Sequence, residues 1–286
     1  MHTSATNTAL RGVPIHAVEA GEGDPVVLLH PLPGHSGSFA RVLPLLAELH
    51  HVLAPDLRGN GSSGKPRGDY SVPTQAEVLI EWLETRGIGR ASFVGNSYGG
   101  ILALYLACHT PDRVAALVLS GTNAYTAFRF PLAARILSSA LGAWLVPFVR
   151  RTMLERSYLE QFHDPSLVGR EHLDALWRPL QEPNGLWCLW KQSHQIDFGL
   201  LEPHLRRVAA PALLVWGRED RGSPLRWAEH LLMDLPHARL AVIERCGHYP
   251  PLERPQEFSR LTLEFLAATE RERGCSAGPE EMVGSP

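Results

Sequence analysis

Ala91-Ser92-Phe93-Val94-Gly95-Asn96-Ser97-Tyr98-Gly99-Gly100-Ile101-Leu102-Ala103-Leu104-Tyr105-Leu106 is the stretch that decides the fold. Its first residues form an apolar, strand-like run and its last residues a helix-like one, with G-x-S-x-G between them. That order reads as a nucleophile elbow, a turn between strand and helix so sharp that the positions two before and two after the serine must lack side chains. Such a turn pushes Ser97 Oγ out of the sheet and aims the Tyr98 backbone N–H at the same point. The pentapeptide alone recurs by chance. The strand before it, the helix after it and two chemical partners downstream make it specific.

Working outward, Val26-Val27-Leu28-Leu29-His30 has the look of a strand buried on both faces. A helix is predicted near 38–49, a strand over 51–55, a helix over 74–86, the elbow strand over 91–96, a helix over 98–109 and a strand over 114–119. This alternation implies βαβ units and a parallel sheet. The rhythm breaks after Ser120-Gly121. From Asn123 to Arg207 only helix-prone segments occur, separated by Pro131, Pro147, Pro165, Pro179 and Pro183. Alternation resumes with a strand over 212–216, a helix over 225–235, a strand over 239–243 and a helix over 256–273. The reading is a core of residues 1–122 and 208–273, a helical insertion over 123–207 and a disordered tail over 274–286, rich in Gly and Pro. A second independent domain is the alternative account of the middle block.

Composition sets the frame. The 286 residues are 44% hydrophobic and 20% charged, ordinary for a globular protein with a substantial core. A net charge of −3 gives no basic footprint for nucleic acid and no polybasic membrane anchor. The uncharged run 136–149 contains Pro147 and is too short to span a bilayer. Residues Met1 to Ala9 are polar, without the apolar core of a secretory signal. Cys108, Cys188, Cys246 and Cys275 lack C-x-x-C spacing, so neither disulfides nor a zinc site is expected and a cytoplasmic location fits. The histidines show no metal-ligand spacing, and no metal is expected.

A serine hydroxyl is a poor nucleophile until an oriented base takes its proton. Asp220, in Trp216-Gly217-Arg218-Glu219-Asp220, and His248, in Cys246-Gly247-His248-Tyr249, each follow a predicted strand. Functional groups of open α/β sheets gather at the carboxyl ends of strands, so Ser97, Asp220 and His248 are expected to converge there. Glu219 and Asp234 are the competing acids. His230 and His237 flank or lie in the helix before the last strand, which leaves His248 as the base.

With these residues in hand, the chain resembles the α/β-hydrolase superfamily from about residue 12 to about residue 270. Further matches are Asp56-Leu57-Arg58-Gly59-Asn60-Gly61-Ser62-Ser63, similar to the family's D-x-R-G-x-G-x-S loop, and Glu253-Arg254-Pro255 after Gly247-His248. The resemblance implies a mostly parallel eight-stranded sheet flanked by helices, with an all-helical cap inserted after the sixth strand. It implies an oxyanion hole made by the backbone N–H groups of Tyr98 and Leu32. Relatives usually begin the latter loop His-Gly, whereas this chain has His30-Pro31-Leu32-Pro33-Gly34; Pro31 offers no N–H, but Leu32 does. Gly59-Asn60-Gly61-Ser62-Ser63-Gly64-Lys65 imitates a phosphate-binding loop, but Pro66 stands where a hydroxyl residue is needed, so backbone turning accounts for these glycines.

Under this resemblance the insertion covers the catalytic centre, and its large apolar residues favour a small hydrophobic acyl or aromatic substrate. Phe130, Trp144, Trp187 and Trp190, with Tyr249 beside the histidine, are the expected substrate contacts. Arg129, Arg135, Arg150 and Arg151 are read as solvating the insertion's surface, with one of them holding a substrate carboxylate as the alternative. The expected reaction is hydrolysis of an ester or related acyl bond without any cofactor, by a monomer or homodimer that binds no nucleic acid. Carbon–carbon bond hydrolysis of a vinylogous diketone is the nearest rival, because Gly-Asn-Ser-x-Gly-Gly looks like the elbow of ring-fission hydrolases. Thioester hydrolysis, acyl transfer and a biosynthetic tailoring step fit the same triad, and a ligand receptor on the same fold is the rival from another class. Serine at the nucleophile position argues against the haloalkane dehalogenase and epoxide hydrolase branches, which use aspartate there.

Overall fold

The structure, a computed structural model, describes residues 3–129 and 132–276. Its strands are β1 (Ser4–Leu10), β2 (Val13–Ala20), β3 (Pro25–Leu29), β4 (His51–Pro55), β5 (Ala91–Asn96), β6 (Val114–Ser120), β7 (Ala212–Gly217) and β8 (Ala238–Ile243). Its α-helices are α1 (Leu43–Leu46), α2 (Val72–Glu84), α3 (Tyr98–His109), α4 (Leu132–Leu137), α5 (Gly142–Leu145), α6 (Arg151–Leu159), α7 (Arg170–Gln181), α8 (Gly185–His194), α9 (Arg226–Asp234), α10 (Pro250–Glu253) and α11 (Pro255–Ser276). The strands form one eight-stranded sheet in the order β1-β2-β4-β3-β5-β6-β7-β8. β1 pairs antiparallel with β2, and β2 with β4; every later pairing is parallel.

Both faces of the central strands are covered, which is why these strands read as unbroken apolar runs. On β5, Phe93 faces a core shared with Trp82, Leu102 and Leu104, while Val94 faces the opposite core with Phe39, Phe258 and Leu266. Burial of this extent is the main term that offsets chain entropy.

All described elements between β6 and β7 are helical. A buried amide cluster ties them to the core: Gln192 Oε1 of α8 accepts from Asn60 Nδ2 at 2.9 Å and from Gln75 Nε2 at 3.0 Å. Tyr158, Phe162, Leu173 and Leu176 pack against Tyr249 and Leu252, beside the loop that follows β8. The phosphate-loop look-alike is a tight turn. Asp56 accepts from the Ser36 and Ser62 amides at 2.6 and 2.7 Å, and Lys65 Nζ donates to the Gly61 and Ser63 carbonyls and to Glu182.

Three features differ from the sequence reading. The helix expected over 38–49 is two short pieces, a 3-10 turn over Ser36–Phe39 and α1, with Pro44 opening the latter. The hairpin β1–β2 was unforeseen; β1 is an edge strand of small polar residues, mostly exposed. α11 runs to Ser276, and residues 277–286 of the expected tail lie outside the described residues. No described helix is long and apolar enough to cross a membrane.

The packing of α3 on the sheet yields a stability prediction. A Cβ on Gly99 would collide with the Leu29 carbonyl oxygen, which cannot swing aside, whereas one on Gly89 would meet nothing. Gly99→Ala is expected to lower unfolding free energy by about 3 kcal/mol. Gly89→Ala should change it by less than about 0.5 kcal/mol. Urea denaturation of both variants checks the contrast.

Candidate active site

Ser97 sits between β5 and α3 with φ 53° and ψ −114°, a left-handed backbone that a residue with a Cβ adopts only when its surroundings impose it. The imposition is visible. The Ser97 amide donates to Ser120 O of β6 at 2.8 Å, and its carbonyl accepts from the Gly100 and Ile101 amides. Gly95 and Gly100 approach so closely that a Cβ on Gly95 would lie 2.5 Å from Gly100 Cα. The glycines flanking the serine therefore serve the turn, as the motif implied.

Asp220 lies just beyond β7 and His248 just beyond β8. His248 Nδ1 donates to Asp220 Oδ1 at 2.9 Å and lies 3.0 Å from Oδ2. An ionised carboxylate only accepts, so Nδ1 carries the proton, and in the neutral imidazole the lone pair lies on Nε2. Both residues are 5% exposed. Asp220 Oδ1 also accepts from the Ser223 amide at 2.7 Å. Ser223 is held in turn by Trp216 Nε1, which donates to its carbonyl, and by Asn123 Nδ2, which donates to its hydroxyl, each at 2.7 Å. The competing acids are engaged elsewhere: Glu219 accepts from the Cys246 amide, and Asp234 from Tyr125 Oη and Arg206.

The loop carrying His248 is fastened from two sides. From the sheet, Asn96 Nδ2 donates to His248 O at 3.0 Å while also bonding Ser120 O and Ser120 Oγ. From the insertion, Gln161 O accepts from the His248 amide at 2.9 Å. Buried Glu253 gathers the amides of Gly247, Tyr249 and His163. Burial holds the Glu253 carboxyl above the usual carboxylate range, although these three N–H groups pull the other way. Gly121 and Gly222 make room for the imidazole, since a Cβ on either would fall within 2.9 Å of a ring atom. Among the described residues no hydrogen bond joins Ser97 Oγ to the His248 ring. The two are linked through Asn96, the residue before the serine. The sequence reading gave no role to Asn96, Ser223, Asn123, Gln161 or Glu253. Asn96, Asn123 and Gln161 act on partners remote in the chain. Ser223 and Glu253 act largely on near neighbours through backbone amides, which leave no pattern of residue types.

Leu29 stands in register with Gly95, so the loop after β3 leaves the sheet beside the elbow. Neither the Leu32 nor the Tyr98 amide has a backbone or side-chain acceptor among the described residues. His30 braces this loop: Nδ1–H donates to Pro31 O at 2.8 Å, and Nε2 accepts from the Leu57 amide at 3.0 Å. Burial lowers the His30 pKa to about 4, so the ring is neutral.

The expected substrate contacts are dispersed. Tyr249 is buried against Tyr158, Phe162 and the edge of His248. Trp187 meets Tyr70 and the Arg67 guanidinium, and Trp190 stacks on His194. Trp144 is 78% exposed. Phe130 lies outside the described residues. Among the described residues no group of three or more His, Cys, Asp or Glu side chains is placed to hold a metal ion.

The family model described as "Alpha/beta hydrolase family" matches residues 26–261. The chain belongs to that family. It is 31% identical over 262 residues to the 2-hydroxy-6-oxo-6-phenylhexa-2,4-dienoate hydrolase of Burkholderia cepacia, covering 88% of this chain and 91% of the relative. It is 33% identical over 264 residues to the 2-hydroxymuconate semialdehyde hydrolase of Pseudomonas putida, covering 87% and 89%. Among solved structures, a 2-hydroxy-6-oxo-6-phenylhexa-2,4-dienoate hydrolase from Rhodococcus superposes with a TM-score of 0.82 at 26% identity, over 93% of this chain and 99% of that one. An epoxide hydrolase superposes with a TM-score of 0.80 at 24% identity, over 93% and 99%, which shows the fold alone.

Two predictions follow from the site's supports. Asn96→Ala leaves the Ser120 and His248 carbonyls without their shared donor, and is expected to lower stability by about 2 kcal/mol in urea denaturation. His172 is likewise held neutral by burial, with its pKa lowered to about 4. Unfolded histidines titrate near 6.5, so between pH 6.5 and 4 the unfolded chain binds more protons than the folded one. The stability gained by keeping His30 neutral is therefore complete above about pH 6.5 and lost as pH falls toward 4. For His30 alone it amounts to about 3 kcal/mol, read as a falling urea midpoint across that window.

Proposed function

We propose that this protein hydrolyses a carbon–carbon bond beside a ketone in a small conjugated dienoate. Ser97 is the nucleophile, His248 the proton carrier, Asp220 its orienting carboxylate, and the Tyr98 and Leu32 amides the oxyanion donors. The observation that carries this reading is the buried Asp220–His248 pair tethered by Asn96 to a G-N-S-Y-G-G elbow. The curated relatives add weight, because those cited act on conjugated 6-oxo-dienoates or a semialdehyde of that kind. The sequence reading had placed ester cleavage first and this chemistry second.

Ser97 Oγ attacks the ketone carbon as His248 Nε2 takes its proton, and negative charge collects on the carbonyl oxygen between the two amides. The substrate reacts as its 2-oxo-3-ene tautomer, the 2-hydroxyl proton having moved to C5. The C5–C6 bond then breaks, its electron pair passing to C5, where conjugation through C3=C4 to the 2-oxo group delocalises it. That carbon takes the proton from His248. Water, deprotonated by His248, releases the acyl group from Ser97. Asp220 keeps Nδ1 protonated throughout.

Ester hydrolysis is the second reading, and two departures favour it: Pro31 in the first loop, and Tyr249 where ring-fission relatives often carry tryptophan. The steps at Ser97 are the same; only the leaving atom differs, an alkoxide oxygen instead of a stabilised carbanion. A panel of dienoate, ester and thioester substrates separates the two. The proposal expects dienoate turnover to dominate and to fall by about 10³-fold or more in Ser97→Ala. Ester turnover that dominates and disappears in Ser97→Ala keeps the nucleophile and replaces the bond. Equal turnover in Ser97→Ala removes the nucleophile assignment itself.

A further inference from the structure

We propose that the outer face of the helical insertion docks on an anionic lipid bilayer. This inference is independent of the reaction assigned above. It rests on six large apolar side chains that the fold leaves in water: Leu132, Ile136, Leu141, Trp144, Phe148 and Met153. Leu132 and Ile136 share one side of α4, and Leu141, Trp144 and Phe148 recur at i, i+3 and i+7. Trp144 is 78% exposed and Phe148 76%. Monomeric proteins rarely present so many large apolar groups along one segment without a use for them.

The opposite side of this segment is already occupied. Gly142 and Val146 are buried, and a Cβ on Gly142 would meet Trp190 Cδ1 of α8 at 3.0 Å. Trp190 Nε1 donates to Ser139 O at 3.0 Å, and His194 Nδ1 to Ser138 O at 2.8 Å. The exposed face is thus the one turned away from the body of the protein.

Charge selects the occupant. From Leu132 to Leu154 the chain carries Arg135, Arg150 and Arg151 and no acidic residue, although the whole protein is net −3. Arg151 is paired with Glu155 and Asp174. Arg135 and Arg150 are exposed and form no ion pair among the described residues. A symmetric contact with a second copy would bring together two faces that both carry net positive charge and no acidic residue. Aromatic and aliphatic side chains beside unpaired arginines instead match a headgroup–acyl boundary whose phosphates are negative.

Co-sedimentation with phosphatidylglycerol vesicles and with phosphatidylcholine vesicles tests this. The wild-type protein is expected to pellet with the former and stay in solution with the latter, and to be released from the former by high salt. Leu141→Ser/Phe148→Ser should weaken vesicle binding by about tenfold or more. Arg135→Gln and Arg150→Gln should each weaken it by about fivefold. All variants change exposed side chains, so their thermal midpoints should match wild type. Failure of the wild-type protein to pellet with phosphatidylglycerol overturns the proposal, as do equal binding to both lipids or unchanged binding by the variants. A dimer in sedimentation velocity that Leu141→Ser/Phe148→Ser dissociates, without vesicle binding, assigns the face to a second copy and equally overturns it.

Discussion

The site depends on one steric constraint: the end of β5 and the start of α3 must touch the neighbouring backbone with no side chain between. Gly95, Gly99 and Gly100 meet Gly100, Leu29 and Thr122 at distances that exclude a Cβ. That closeness, with the hydrogen bonds of the Ser97 amide and carbonyl, holds Ser97 in a backbone conformation that residues with a Cβ otherwise avoid. The strain is local, and the buried cores on both sheet faces supply the stability that sustains it. What the protein gains is a hydroxyl at the carboxyl edge of the sheet and a helix-start amide pointing the same way.

The histidine is positioned by a different means. Its ring is fixed by Asp220, but its backbone is suspended between the elbow and the insertion. Asn96 reaches from the residue before the serine to the His248 carbonyl, and Gln161 takes the His248 amide. Glu253 extends the second tether by binding His163 of the insertion together with Gly247 and Tyr249. A shift of α6 and the turn after it would therefore pull directly on the loop that carries His248. The cap is mechanically part of the candidate site.

Much of this was legible in the residues, for reasons that differ by element. The elbow, the parallel strands and the positions of Asp220 and His248 follow from sterics and from period-free apolar runs, both local properties. Asp220 was preferred to Glu219 and Asp234 from its place just past a strand. The hydrogen bonds between the β7 and β8 loops add a physical reason: His248 Nδ1 bonds Asp220, while the other two acids are engaged elsewhere. The hairpin at the start of the chain was missed because Ser4–Leu10 is polar and mostly exposed, so it has little hydrophobic pattern to read. Trp144 illustrates the opposite failure. It was expected to touch substrate; its helical spacing with Leu141 and Phe148 identifies a shared face without saying which way that face turns, and it is exposed. Asn96 bonds across the fold to the His248 carbonyl and leaves no pattern in one dimension, and Glu253 stood out only within the Glu253-Arg254-Pro255 match, without a role.

The central claim is that Ser97, activated by His248, is the group that forms the covalent bond with substrate. Labelling with a fluorophosphonate followed by peptide mass spectrometry tests it most directly. The account predicts one phosphonylated residue, Ser97, and labelling that slows strongly when His248 is replaced by alanine. Modification at another residue, or equally fast labelling of Ser97 without the imidazole, would contradict it.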